Sequence, residues 1–186
     1  MYSEGTIIKN QIRNKIKELE EEYDIELSTT QKILLSINGP ITTILDVLYG
    51  EVRLFMLGQH VEEANEDIAK LLDIDEGEEV DYREVIVHKR NHPLVYALSY
   101  VPMSRCSEEI INDLCKEKLT TGSIIEKYEV ETLRKINSIS IEKPTPLLQE
   151  LFKTNDYMLT REYVMIQNKE IKIWTKEAYP LSYFKV

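Results

Sequence analysis

The sequence predicts an α+β fold, a single and mainly antiparallel sheet of about six strands with helices covering one face and an enclosed ligand pocket. Three observations predict it. Helical periodicities fill the stretch before Gly50. Period-two apolar runs dominate the chain after it. A twenty-residue unit occurs twice, from Arg83 to Pro102 and from Arg161 to Pro180. Each unit opens on Arg-Glu and an apolar run, passes through a polar middle and ends on a second apolar or aromatic run, which is the pattern of a β-hairpin. Two copies imply a pseudo-symmetric sheet whose paired ends shape one pocket.

Residues 6–24 carry Ile8, Ile12, Ile16, Leu19 and Tyr23 at spacings of three and four, with a Lys/Glu face opposite, and read as an amphipathic helix. Ser28-Thr29-Thr30 caps a second short helix, Gln31 to Ile37. Asn38-Gly39-Pro40 is a break. Ile41 to Tyr49 is a third helix, closed by Gly50. Glu51 to Leu57 alternates as a strand, and Glu62 to Leu72 presents Ala64, Ile68, Leu71 and Leu72 on one helical face. The first hairpin unit comes after an acidic turn around Gly77. Ser107 to Lys116 and Thr120 to Tyr128 read as short helices, Val130 to Ile141 as a strand and Pro144 to Phe152 as a further helix. The second hairpin closes the chain. With no Gly/Ser/Pro linker or low-complexity tract, residues 1–186 are expected to form one domain, with 1–27 as an N-terminal helical extension.

A chain of 186 residues, 42% hydrophobic, is long enough to bury roughly 70% of its unfolded surface. Its net charge of −10 argues against a nucleic-acid partner, whose phosphates require a basic face. No apolar stretch approaches the roughly 20 residues of a membrane span. The start, Met1-Tyr2-Ser3-Glu4-Gly5, lacks the pattern of a signal peptide. The cysteines, Cys106 and Cys115, are not at a metal-ligand spacing, and His60, His88 and His92 form no recognised metal motif. These features fit a reduced cytoplasmic protein without a metal site. Oligomeric state is left open.

Two charges stand out. Arg83 begins a Val-Ile-Val strand, where a planar guanidinium turned inward makes two parallel bonds to a carboxylate. Arginines are mostly exposed, so the default from sequence is a surface role at the strand start, beside Glu84 or solvent. Glu177 lies in Ile173-Trp174-Thr175-Lys176-Glu177-Ala178-Tyr179, and strand alternation places Ile173, Thr175, Glu177 and Tyr179 on one face. The alternative is an edge-strand charge. In the repeat, Glu177 stands where the first unit has Ser99, so one half carries an acid that the other lacks. Arg161, the counterpart of Arg83, is either a second anion ligand or a structural partner of Glu84 or Glu177.

Tyr82-Arg83-Glu84-Val85, Tyr100-Val101-Pro102, Thr121-Gly122-Ser123-Ile124-Ile125 and Thr175-Lys176-Glu177-Ala178-Tyr179-Pro180, in that order and spacing, resemble the chorismate pyruvate-lyase family and most of all its archaeal branch. The resemblance runs from Gln31 to Tyr183. It implies an antiparallel sheet over an occluded pocket that holds 4-hydroxybenzoate without metal or cofactor. It also implies that Arg83 binds the ring carboxylate, that Glu177 bonds the hydroxyl end, and that Ile41 and Thr121, the latter before Gly122, supply backbone contacts. The implied partner is a small aromatic carboxylate, and the implied reaction turns chorismate into 4-hydroxybenzoate and pyruvate for cofactor biosynthesis. Residues 66–87 also resemble the UTRA effector-binding domain of bacterial repressors, which shares the fold, so a non-catalytic sensing domain is the rival reading. In one departure, bacterial lyases carry an Arg where this chain has Leu98. Binding of a second substrate carboxylate would then pass to Arg161 or Lys176.

Overall fold

Both repeated units fold as hairpins in the computed structural model, which describes residues 4–114 and 133–185. In the first, β2 (Glu79–Lys89) and β3 (His92–Pro102) are joined by Arg90-Asn91. In the second, β5 (Met158–Gln167) and β6 (Glu170–Pro180) are joined by Asn168-Lys169. The residues of that second turn have φ of 52° and 68°, the positive values that suit a two-residue turn to the twist of its strands.

Each hairpin gains an outer strand, β1 (Arg53–Glu63) or β4 (Leu133–Glu142). The six strands lie in the order β1-β2-β3-β6-β5-β4, and all five pairings are antiparallel. Leu98 pairs with Lys176 at the centre, its own counterpart in the repeat, with Tyr96–Ala178 on one side and Tyr100–Trp174 on the other. The sheet thus has a pseudo-two-fold axis between β3 and β6.

The repeat reaches further than the hairpins. The register shifts in β1 between Met56 and Gly58, opposite Glu84, and in β4 between Ile136 and Ser138, opposite Glu162. Between outer strand and hairpin, each half holds one short helix, α4 (Glu66–Leu72) or α6 (Pro146–Phe152). Asn65 caps α4 by accepting from the Ile68 amide, and Thr145 caps α6 by accepting from that of Leu148. Both helices stop at a left-handed residue, Asp73 or Lys153. The bulge explains why β1 runs beyond the expected Leu57, because an extra residue breaks the period-two pattern without ending the pairing. Glu62 and Glu63, expected in the helix, pair with Val80 and Glu79 instead, since the Asn65 cap sets the helix start.

Before the sheet come α1 (Glu4–Tyr23), α2 (Thr29–Ser36) and α3 (Ile41–Tyr49). Ser28 and Gln31 close a capping box at α2. Ile16, Leu19, Leu34, Leu35 and Leu45 pack on Val87, Val95, Ile139, Leu159 and Tyr179. Leu34 is fully buried, so Leu34→Ala would cost roughly 2–5 kcal/mol. After β3, α5 (Glu108–Leu114) sets Ile110 against Val101, Tyr163, Met165 and Ile173 on the same face.

The expectation that helices cover one face holds only for these four. On the other face, Ile68 and Leu72 of α4 pack against Val164 and Trp174, and Leu148 and Phe152 of α6 against Ile86 and Tyr96. Each short helix thus spans strands of both halves, with Val80 also against α4 and Met158 and Ala178 also against α6. The reason is that the central strands are apolar on both faces, and water must be excluded from both. The expected helix at Thr120 to Tyr128 lies outside the described residues.

Candidate functional site

Strand alternation brings the candidate charges to the face beneath α1, α2 and α3. Arg83 pairs with Ser99, Ser99 with Thr175, Ala97 with Glu177, and Glu177 with Arg161. All project to one side, because directly opposed residues share a face. Arg83 and Glu177 stand two strands apart and are offset by two residues along β3. Strand spacing and rise then put their Cα atoms roughly 12 Å apart. Two long side chains reach inward across that span toward the same space.

The repeat is broken where charge is concerned. Arg161 is fully buried, and its Nε donates to Glu177 Oε2 at 2.6 Å. Burial would lower the Arg161 pKa, but the carboxylate outweighs it and the pKa is raised. One Arg161 terminal nitrogen donates to the carbonyl of Ile37 at 2.9 Å, and Tyr163 Oη donates to Glu177 Oε1 at 3.1 Å. Burial pushes the Tyr163 phenol well above its usual range, so it remains a donor. Of the two roles open to Arg161, the structure thus shows the pairing with Glu177.

Across from Arg83, which is 1% exposed, stands Ser99, which carries no charge. Its acidic neighbour is Asp81 on its own strand, with Oδ2 3.9 Å from Arg83 Nε. Gln59 donates to Asp81 Oδ1 at 2.8 Å. Burial raises the Asp81 pKa, partly offset by Gln59 and Arg83. Arg83 and Glu177 are both buried, so the surface alternatives for them fall away.

Between these groups lies a cavity of about 50 Å³. Its lining includes Arg83, Ser99, Tyr163, Thr175 and Glu177 from the sheet, and Pro40, Ile41 and Thr42 from the start of α3. No side chain caps α3, so its first amides and the positive end of its dipole are available to an anion. Ile41 is the first residue of this helix and lines the cavity. Thr121 and Gly122 lie outside the described residues. At this volume the expected enclosed ligand pocket is not shown, since an aromatic ring needs on the order of 150 Å³. The Ile37–Ile41 linker is drawn down by arginines, Arg161 on the Ile37 carbonyl and Arg134 on that of Gly39, and this fills space that a ligand would occupy.

Lys176 does not reach this cavity. It lies on the far face with Leu98, where its Nζ donates to both Glu142 oxygens at 2.9 Å. A side chain at position 98 points away from Arg83 and Glu177, so neither Leu98 nor Lys176 lines this cavity. The sequence reading missed Arg134, Tyr163 and Asp81. Tyr163 and Asp81 each sit two residues from a singled-out Arg, and Arg134 two residues before Ile136. Alternation would have flagged all three had the bulge in β4 been visible.

Among the described residues no helix is long and apolar enough to cross a membrane, and no cluster of His, Cys, Asp and Glu is arranged to hold a metal ion.

Residues 35–185 match the model of the family described as chorismate pyruvate-lyase Rv2949c-like. The chain belongs to this family. Among the relatives of this lyase-like chain is a Methanocaldococcus jannaschii protein named "Putative lyase MJ0807", 34% identical over 160 residues that make up 82% of this chain and 79% of the relative. Solved structures with the same fold are bacterial regulators. The effector domain of PhnF from Mycobacterium smegmatis aligns with a TM-score of 0.62 at 15% identity, covering 77% of this chain and 90% of that one. A GntR-family regulator from Bacillus cereus aligns with a TM-score of 0.61 at 16% identity, covering 73% and 96%. At such identities the likeness concerns fold alone, and it agrees with the UTRA resemblance read from residues 66–87.

Proposed function

We propose that this member of the chorismate pyruvate-lyase Rv2949c-like family converts chorismate to 4-hydroxybenzoate and pyruvate, and that residues 1–186 act as one domain. The observation that carries this reading is that buried Arg83 and buried Glu177 line one cavity from strands two apart. Arg161 and Tyr163 hold the Glu177 carboxylate. A guanidinium at one end and a carboxylate at the other suit a ring with a carboxylate and a hydroxyl at opposite ends.

Arg83 then fixes the ring carboxylate through a two-pronged bond. Glu177, held by Arg161 and Tyr163, accepts from the C4 hydroxyl. Ile41 contributes main-chain contact, as do Thr121 and Gly122. In the reaction the ring C3–oxygen bond breaks, and the enolpyruvyl methylene takes the C4 hydrogen. The departing fragment leaves as pyruvate while the C4–hydrogen electron pair completes the aromatic ring. Because the proton moves within the substrate, no protein nucleophile or hydrolytic water takes part. The protein contributes geometry and fixed charge in a site shielded from water.

The test is chorismate consumption followed by ultraviolet absorbance. Wild type is expected to turn over, and Arg83→Gln to lose activity while remaining folded by circular dichroism. Full activity in Arg83→Gln would overturn the site. The shared fold with regulator effector domains supports a second reading, binding without turnover. Stabilisation by 4-hydroxybenzoate with no chorismate consumption would establish that reading instead.

A further inference from the structure

Arg134 comes from β4, is 8% exposed and lines the cavity, whose other charged lining residues are Arg83 and Glu177. Its guanidinium carbon lies 4.5 Å from the centroid of the Tyr163 ring, and one terminal nitrogen donates to the Gly39 carbonyl. Among the described residues no carboxylate pairs with it, and its Nε has no hydrogen-bond partner. A buried charge without a counter-charge is costly, and such sites are ordinarily completed by an anion.

Resting on the lyase reading above, we propose that Arg134 binds the second carboxylate of a dianionic substrate, the one on the enolpyruvyl arm. Arg83 on β2 and Arg134 on β4 enter the cavity from opposite sides, four strand positions or roughly 19 Å apart at the backbone. Each arginine grips one end of a molecule with two carboxylates, while Glu177 and Tyr163 line the wall between. Arg161 is less suited to this role, because its charge is already balanced by Glu177. Tyr163 fixes the Arg134 guanidinium plane by stacking, which leaves its edge for the anion. The division of labour also sets specificity. After the reaction the product keeps only the Arg83 carboxylate, so Arg134 distinguishes substrate from product.

Calorimetric affinities for chorismate and for 4-hydroxybenzoate test this in wild type, Arg134→Gln, Arg134→Lys and Arg83→Gln, alongside turnover of chorismate. Loss of a charge-assisted pair predicts that Arg134→Gln binds chorismate roughly 10- to 100-fold more weakly while 4-hydroxybenzoate affinity changes less than about 3-fold. Arg134→Lys, which keeps the charge, should fall between wild type and Arg134→Gln for chorismate. Arg83→Gln should weaken both ligands. Equal losses for both ligands in Arg134→Gln would mark a structural role and overturn the proposal, as would an unchanged chorismate affinity. Wild type that turns over chorismate while Arg134→Gln binds it normally defeats this inference alone. Wild type that neither binds nor consumes chorismate defeats the lyase reading, and this inference with it.

Discussion

Removing the Glu177 carboxylate should expose how much of the fold depends on one buried pair. In Glu177→Ala, Arg161 keeps the Ile37 carbonyl but loses the carboxylate 2.6 Å from its Nε, and Tyr163 loses an acceptor. The side chains of the pair are 0% and 5% exposed, so little solvent reaches the stranded guanidinium. Breaking a buried pair by deleting one partner costs about 3–5 kcal/mol. With charge centres about 4 Å apart and an effective dielectric near 20, the direct attraction is about 4 kcal/mol, the same size. For a chain of this length that corresponds to a fall in melting temperature of roughly 6–20 °C. Urea unfolding followed by the fluorescence of Trp174, the single tryptophan, reads it directly, since that ring is buried under α4. The double variant Arg161→Met/Glu177→Leu should recover most of the loss, because an apolar pair of similar volume avoids the desolvation cost. A loss below about 1 kcal/mol in Glu177→Ala, or no recovery in the double variant, would refute the reasoning.

Three further outcomes are expected. Ser99→Glu places in the first half the acid that the second half has, so a carboxylate opposite Arg83 competes with the ligand and the thermal shift caused by 4-hydroxybenzoate disappears; a full shift would show that Arg83 does not bind the carboxylate. Ala97→Leu extends into the cavity from its floor, costs at most about 3 kcal/mol and blocks ligand stabilisation, and normal stabilisation would place the ligand elsewhere. The Asp81 carboxyl has a folded pKa raised above its unfolded value, so the folded state holds the proton more tightly. Its contribution therefore favours folding at low pH and is lost as pH rises through the raised pKa. Urea titrations from pH 4 to 8 should show that loss in wild type and a flatter profile in Asp81→Asn, and parallel profiles would exclude Asp81 as the cause.

The elements whose signals are local were legible in the sequence. The cap at Ser28, the stop at Gly50 and the two hairpins depend on residues within a few positions of one another, and the structure has them there. So was the broken symmetry between Ser99 and Glu177, because a register fixed by alternation carries directly from sequence to sheet. What the sequence could not state was which distant groups meet. The partner of Arg161 depends on β5 lying beside β6 in one register. The inward turn of Arg134 depends on a bulge that shifts the phase of β4. The sequence also left helices on one face only, since each short helix packs across strands of both halves, a pairing no local window contains. The cavity's size, too, belongs to the tertiary structure. It is what remains once the linker carbonyls of Ile37 and Gly39 have found their arginines. Local chemistry chose the residues, and long-range packing decided which charges share a space without water.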